Sequence, residues 1–197
     1  MSILTAANQL TLLRLLLVPV FALFMLYERP GWALVTFAVA GATDALDGLI
    51  ARRTGQFTTL GAWLDPMADK LLVATMFVML TVPGLGLVVR LPLWLTVLVL
   101  SRDIAIVLTV TIVNLAISRR TFRPSFSGKL ATVVYVVTGV VTLYANYYGA
   151  RLAIVDACVY ASLAITLVSG AEYVMLISRG AGEPGDGPEG HSRRSSA

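Results

Sequence analysis

Charge is scarce in this chain of 197 residues: 13% are Asp, Glu, Lys or Arg, against 57% hydrophobic. Mean hydropathy is +0.82, and an ordinary soluble domain is about one-quarter charged, so a water-soluble globular class is a poor fit. Cys158 is the one cysteine, which excludes an internal disulfide. Within an apolar run it reads as a small filler rather than a reactive thiol. The one histidine, His191, falls in a polar tail and reads as a solvated side chain rather than a ligand. No internal repeat is visible, and the apolar runs lack the period-2 alternation of a membrane β-barrel. A cleavable signal peptide is not expected: the first apolar run contains Arg14 and has no small-residue cleavage site.

Long apolar runs are what the chain has instead. At about 20 residues each, they are long enough to cross a hydrocarbon core of roughly 30 Å. Six spans are expected, at about 9–27, 32–52, 61–82, 91–117, 127–148 and 152–178. The fold class is therefore all-α integral membrane, a six-transmembrane-helix bundle. With six spans, Arg52, Arg53, Arg119, Arg120, Arg123, Arg179, Arg193 and Arg194 share one side, and Arg29, Arg90 and Arg151 the other. The richer side is cytoplasmic, so both termini are expected there, in the inner (plasma) membrane of a bacterium. The net charge of +4 then reports topology and attraction to anionic headgroups, not nucleic-acid binding.

The breaks between runs are short. Asn8 is placed to cap the first helix. Glu28, Arg29, Pro30 and Gly31 form a turn, residues 53–60 a polar loop, and Pro83, Gly84 and Gly86 a break before the fourth span. Residues 119–127 are the most basic loop. Trp32, Trp63 and Trp94 fall near span ends as interfacial anchors. Residues 1–178 form the expected membrane domain, and 179–197, rich in Gly, Pro, Ser, Glu and Arg, a disordered cytoplasmic tail.

Four aspartates interrupt this apolar pattern. Asp44 and Asp47 share one face of the second span, and Asp65 and Asp69 one face of the third. Asp44 and Asp69 each lie about eight residues, or ~12 Å at the helical rise, from the cytoplasmic ends of their spans. A short hairpin then gathers four carboxylates in a polar cavity near the cytoplasmic face. Intramembrane carboxylates are costly and read as functional, and four together repel unless cations neutralise them. Oxygen-only ligands select hard ions such as Mg²⁺ or Mn²⁺, and two divalent cations would suit phosphoryl transfer. Gly48, Ala51 and Gly61 suit either close helix packing or a flat ligand. Arg52 either holds a phosphate or snorkels to the surface.

The full pattern is Asp44, Asp47, Gly48, Ala51 and Arg52, then eight residues, then Gly61, Asp65 and Asp69. It resembles, at every position, the signature of the CDP-alcohol phosphotransferases, over about residues 5–178 of the chain. The resemblance implies transfer of a phospho-alcohol from a CDP-linked donor to a hydroxyl, with release of CMP. It further implies that Asp44, Asp47 and Asp65 bind the metal pair. Asp69 would complete the metal site and act as base, while Gly48, Ala51, Arg52 and Gly61 frame the CDP moiety. A homodimer is also implied.

Flanking residues narrow the acceptor. Asn8, Thr11 and Arg14 resemble the opening of the phosphatidylglycerol-phosphate and cardiolipin synthases. Ser101, Arg102 and Asp103, with residues 123–129, resemble the cardiolipin group, although Gly128, Lys129 and Thr132 are compatible with both. Transfer from CDP-diacylglycerol to phosphatidylglycerol is the expected reaction, with glycerol 3-phosphate as the alternative acceptor, ahead of inositol phosphate or serine. Lys129 and Arg102 either bind the acceptor phosphate or, with Asp103, belong to a buried charge pair fixing helix register. Arg119, Arg120 and Arg123 are expected at lipid headgroups. A transporter also holds intramembrane acids, but these cluster near one face without repeated or broken helices, and donor-dependent CMP release separates the two. An intramembrane prenyltransferase would carry different aspartate motifs.

Overall fold

Proline and glycine mark several of the breaks between helices, although Pro19 lies inside the first helix. The computed structural model describes the backbone of residues 6–54, 59–116 and 126–180, with side chains at 11–43, 68–108, 127–172 and 175. The regular elements described are all helical: α1 (Ala6–Leu26), α2 (Pro30–Thr54), α3 (Thr59–Thr81), α4 (Leu93–Ala116), α5 (Phe126–Tyr148) and α6 (Ala153–Gly180). They match the six apolar runs to within three residues at each end, but Asn8 lies inside α1 rather than capping it, since the helix already includes Ala6. Pro30 opens α2, where its missing N–H is not needed. Gly149 (φ 72°) follows α5, and Ala150 N–H donates back to the Ala145 carbonyl at 3.2 Å, closing that helix through a left-handed residue. Gly84 (φ 92°) and Gly86 (φ 58°) shape the connection from α3 to α4.

Helix α1 packs against α2 and α3, α5 against α2, α3 and α6, and α4 against α3 and α6. The buried positions recur at helical spacing: Phe21 and Met25 on α1, Ala33, Phe37 and Ala40 on α2, Leu72, Met76 and Leu80 on α3. Gly139 lets α5 come close to α3, since a Cβ there would lie 1.9 Å from Met76 Cε.

Polarity inside these packed faces is high for a helical protein. Thr96 on α4, Thr138, Thr142 and Asn146 on α5, and Ser162, Thr166 and Ser169 on α6 are buried. Large apolar side chains such as Leu16, Leu23, Trp32, Val97, Val133 and Leu167 face outward. Apolar outside and hydroxyl-lined inside is consistent with a place in a membrane, where small and polar residues join helices. Among the described residues, Ser127–Tyr148 and Ala153–Glu172 are long and apolar enough to cross one, and the described parts of α1 and α2, Thr11–Leu26 and Pro30–Thr43, are apolar as well. Residues 181–197 of the expected tail, and residues 117–125 with Arg119, Arg120 and Arg123, lie outside the described residues, as does the side chain of Trp63.

Candidate active site

Two helices carry the aspartate motif. Asp44, Asp47, Gly48, Ala51 and Arg52 occupy the second half of α2, and Gly61, Asp65 and Asp69 the first half of α3. Asp44 stands as far from the end of α2 at Thr54 as Asp69 does from the start of α3 at Thr59. The side chains of Asp44, Asp47, Gly48, Ala51, Arg52, Gly61 and Asp65 lie outside the described residues. Among the described residues no three His, Cys, Asp or Glu side chains group together.

Asp69 is described, and its neighbour was not foreseen from sequence. Arg14 Nη1 of α1 donates to Asp69 Oδ1 at 2.6 Å. The arginine side chain is 1% exposed and the aspartate 43%. A buried guanidinium thus stands behind a carboxylate that remains accessible. The sequence signal was a lone arginine within the first apolar run.

A second charged group joins α4 to α6. Arg102 Nη1 donates to Asp103 Oδ1 at 2.7 Å, with side chains 10% and 25% exposed. Arg102 Nη2 also donates to Ser169 of α6. The buried Arg102 Nε has no hydrogen-bond partner among the described residues. Nearby, Ser127 near the start of α5 donates to Glu172 of α6. Lys129 lies two positions along α5 and is exposed. Of the two candidate acceptor-phosphate cations, then, one is partnered by an acid and the other faces outward.

The hydroxyl seam continues away from this group. Tyr135 Oη and Thr166 Oγ1 lie 2.7 Å apart, and Thr138 Oγ1 and Ser162 Oγ 2.8 Å apart. At the other end of α5, Asn146 Nδ2 donates to the Val89 carbonyl at 2.8 Å, and its Oδ1 accepts from Val89 N–H at 3.0 Å. That pair ties the α3–α4 connection to the bundle. Buried Ser, Thr and Asn recurring three or four apart on the last two helices were the available signal.

Comparison with known proteins gives this geometry a context. Residues 4–169 match the family profile described as CDP-alcohol phosphatidyltransferase. The protein named probable phosphatidylglycerophosphate synthase of Mycobacterium tuberculosis is 38% identical over 186 residues, covering 89% of this chain and 83% of its own. Cardiolipin synthase (CMP-forming) of Streptomyces coelicolor is 34% identical over 190 residues, covering 90% and 84%. Cardiolipin synthase (CMP-forming) of Homo sapiens is 32% identical over 160 residues, covering 73% and 52%.

Proposed function

The chain belongs to the CDP-alcohol phosphatidyltransferase family and is an enzyme of phospholipid synthesis, and from that premise we propose that it transfers the phosphatidyl group of CDP-diacylglycerol to phosphatidylglycerol. An acceptor hydroxyl oxygen forms the new bond to the donor's β-phosphorus. The bond from that phosphorus to the bridging oxygen breaks, CMP leaves with the electron pair, and the hydroxyl proton passes to Asp69. The products are cardiolipin and CMP.

The all-carboxylate donor set of Asp44, Asp47, Asp65 and Asp69 fits a pair of hard cations, Mg²⁺ or Mn²⁺. Bound there, such ions would supply charge neutralisation at the pyrophosphate and activation of the hydroxyl. Gly48, Ala51 and Gly61 leave room for the cytidine and its phosphates, and Arg52 pairs with phosphate oxygen. Residues 1–178 act as the catalytic unit, with 179–197 as a cytoplasmic tail. Each helix has at least 21 residues, about 30 Å at the helical rise, and six crossings put the motif towards the cytoplasm. The outward apolar faces meet lipid and, in part, a second copy in a homodimer.

One observation carries the choice of acceptor: the positive charge of Arg102 is balanced by Asp103. A phosphate monoester bears about −1.5 to −2 charges and calls for several uncommitted cations. Phosphatidylglycerol, a phosphodiester with one negative charge, needs fewer, and Lys129 with the Arg102–Asp103 pair suffices. Glycerol 3-phosphate is the second reading, favoured by the name of the Mycobacterium tuberculosis relative. Purified protein incubated with CDP-diacylglycerol and each acceptor decides between them. Cardiolipin from added phosphatidylglycerol is expected; phosphatidylglycerol phosphate as the main product, with no cardiolipin, would replace the first reading with the second.

A further inference from the structure

Arg14 occupies a core position of α1. Thr11, Arg14, Phe21 and Met25 are all buried, and their spacing puts them on one face of the helix. Placing a guanidinium there is expensive, and an apolar side chain of similar volume would pack as well without the desolvation penalty. Stability therefore does not account for an arginine at this place. Its partner does. Arg14 Nη1 meets Asp69 Oδ1 at 2.6 Å, while Asp69 remains 43% exposed.

We propose that Arg14 is a positioning residue for the transfer reaction: from its buried site it holds Asp69 in one orientation, with the accessible part of the carboxylate turned to the incoming acceptor hydroxyl. The inference rests on the proposed role of Asp69 as proton acceptor. The planar guanidinium fixes direction as well as charge, whereas a lysine ammonium supplies charge from a flexible stem. Packing of α1 against α3 carries that constraint from the helix backbone to the carboxylate. Helix α1, which holds none of the motif, thereby becomes part of the active site.

The test uses the full chain in lipid nanodiscs with Mg²⁺, CDP-diacylglycerol and the preferred acceptor. Arg14→Gln and Arg14→Met are expected to lower kcat about 100-fold, the size of a misplaced reacting group. KM for CDP-diacylglycerol should change less than about threefold, and calorimetric binding of CMP should be retained. Arg14→Lys should recover part of the rate. In Arg14→Met/Asp69→Asn the loss should equal that of Asp69→Asn alone, the result expected when Arg14 acts through that carboxylate. If Arg14→Met does not fold, Arg14→Lys carries the test, with the same split between kcat and CMP binding required. Near-normal turnover in Arg14→Met with an inactive Asp69→Asn would overturn this inference and leave the role of Asp69 standing. Near-normal turnover in Asp69→Asn would overturn that role itself. Loss of CMP affinity in step with kcat in the Arg14 variants would also overturn the inference.

Discussion

Thr138 of α5 and Ser162 of α6 share a hydrogen bond of 2.8 Å between their hydroxyls, and Thr138 also donates to the Cys158 carbonyl at 3.2 Å. This is one rung of a seam that includes Tyr135 with Thr166 and Ser127 with Glu172. In hydrocarbon, apolar contact alone would not draw helices together, and close packing and such bonds would then hold the pair. Ser162→Ala should lower stability by about 0.5–1 kcal/mol, and Thr138→Val somewhat more because it loses two bonds to α6. Thermal unfolding in detergent measures both. A double variant losing less than the sum would show the two hydroxyls acting as one pair.

Asn146 should matter more than any single hydroxyl. It bonds both the N–H and the carbonyl of Val89, and the Thr142 carbonyl at 2.9 Å. Asn146→Leu leaves buried backbone groups unpaired, at about 1–3 kcal/mol each. The expected result is a large fall in melting temperature. Turnover well below that temperature should stay near normal, since Asn146 lies at the opposite end of α5 from Lys129.

Arg102 and Lys129 should separate cleanly. Arg102→Met removes the partner of Asp103 and Ser169; the pair is part-buried, so the loss should stay below the ~3–5 kcal/mol of a fully buried one yet still lower the melting temperature. Lys129 is exposed, so Lys129→Ala should leave the melting temperature nearly unchanged. It should lower kcat/KM for the acceptor more than for CDP-diacylglycerol. Equal losses for both substrates would place Lys129 outside the acceptor site.

Activity should require Mg²⁺ or Mn²⁺ and stop on addition of a chelator. Asp44→Asn, Asp47→Asn and Asp65→Asn should each reduce turnover by about 100-fold or more, because each removes charge that holds the cations. The melting temperature and oligomeric state are the controls. Full turnover in metal-free buffer, or in any one of these variants, would remove the aspartates from the proposed metal site.

Much of the architecture could be read along the chain. Runs of about 20 apolar residues between polar breaks read as helices, because a backbone placed in hydrocarbon would have to satisfy its hydrogen bonds internally. The six helices follow those runs, and Gly84, Gly86 and Pro30 stand at the expected breaks. The spacing of Asp44, Asp47, Gly48, Ala51, Arg52, Gly61, Asp65 and Asp69 was enough to point to the family, since a local motif keeps its own order and spacing whatever surrounds it. Which polar side chains meet across the bundle was decided only in three dimensions. Arg14 is 55 positions from Asp69, Ser127 is 45 from Glu172 and Arg102 is 67 from Ser169. Helical periodicity says which face a residue occupies on its own helix. How far each neighbouring helix is rotated and shifted depends on packing along the whole interface, such as Gly139 against Met76. That rotation and shift turned an isolated arginine in the first helix into the partner of the last aspartate in the motif.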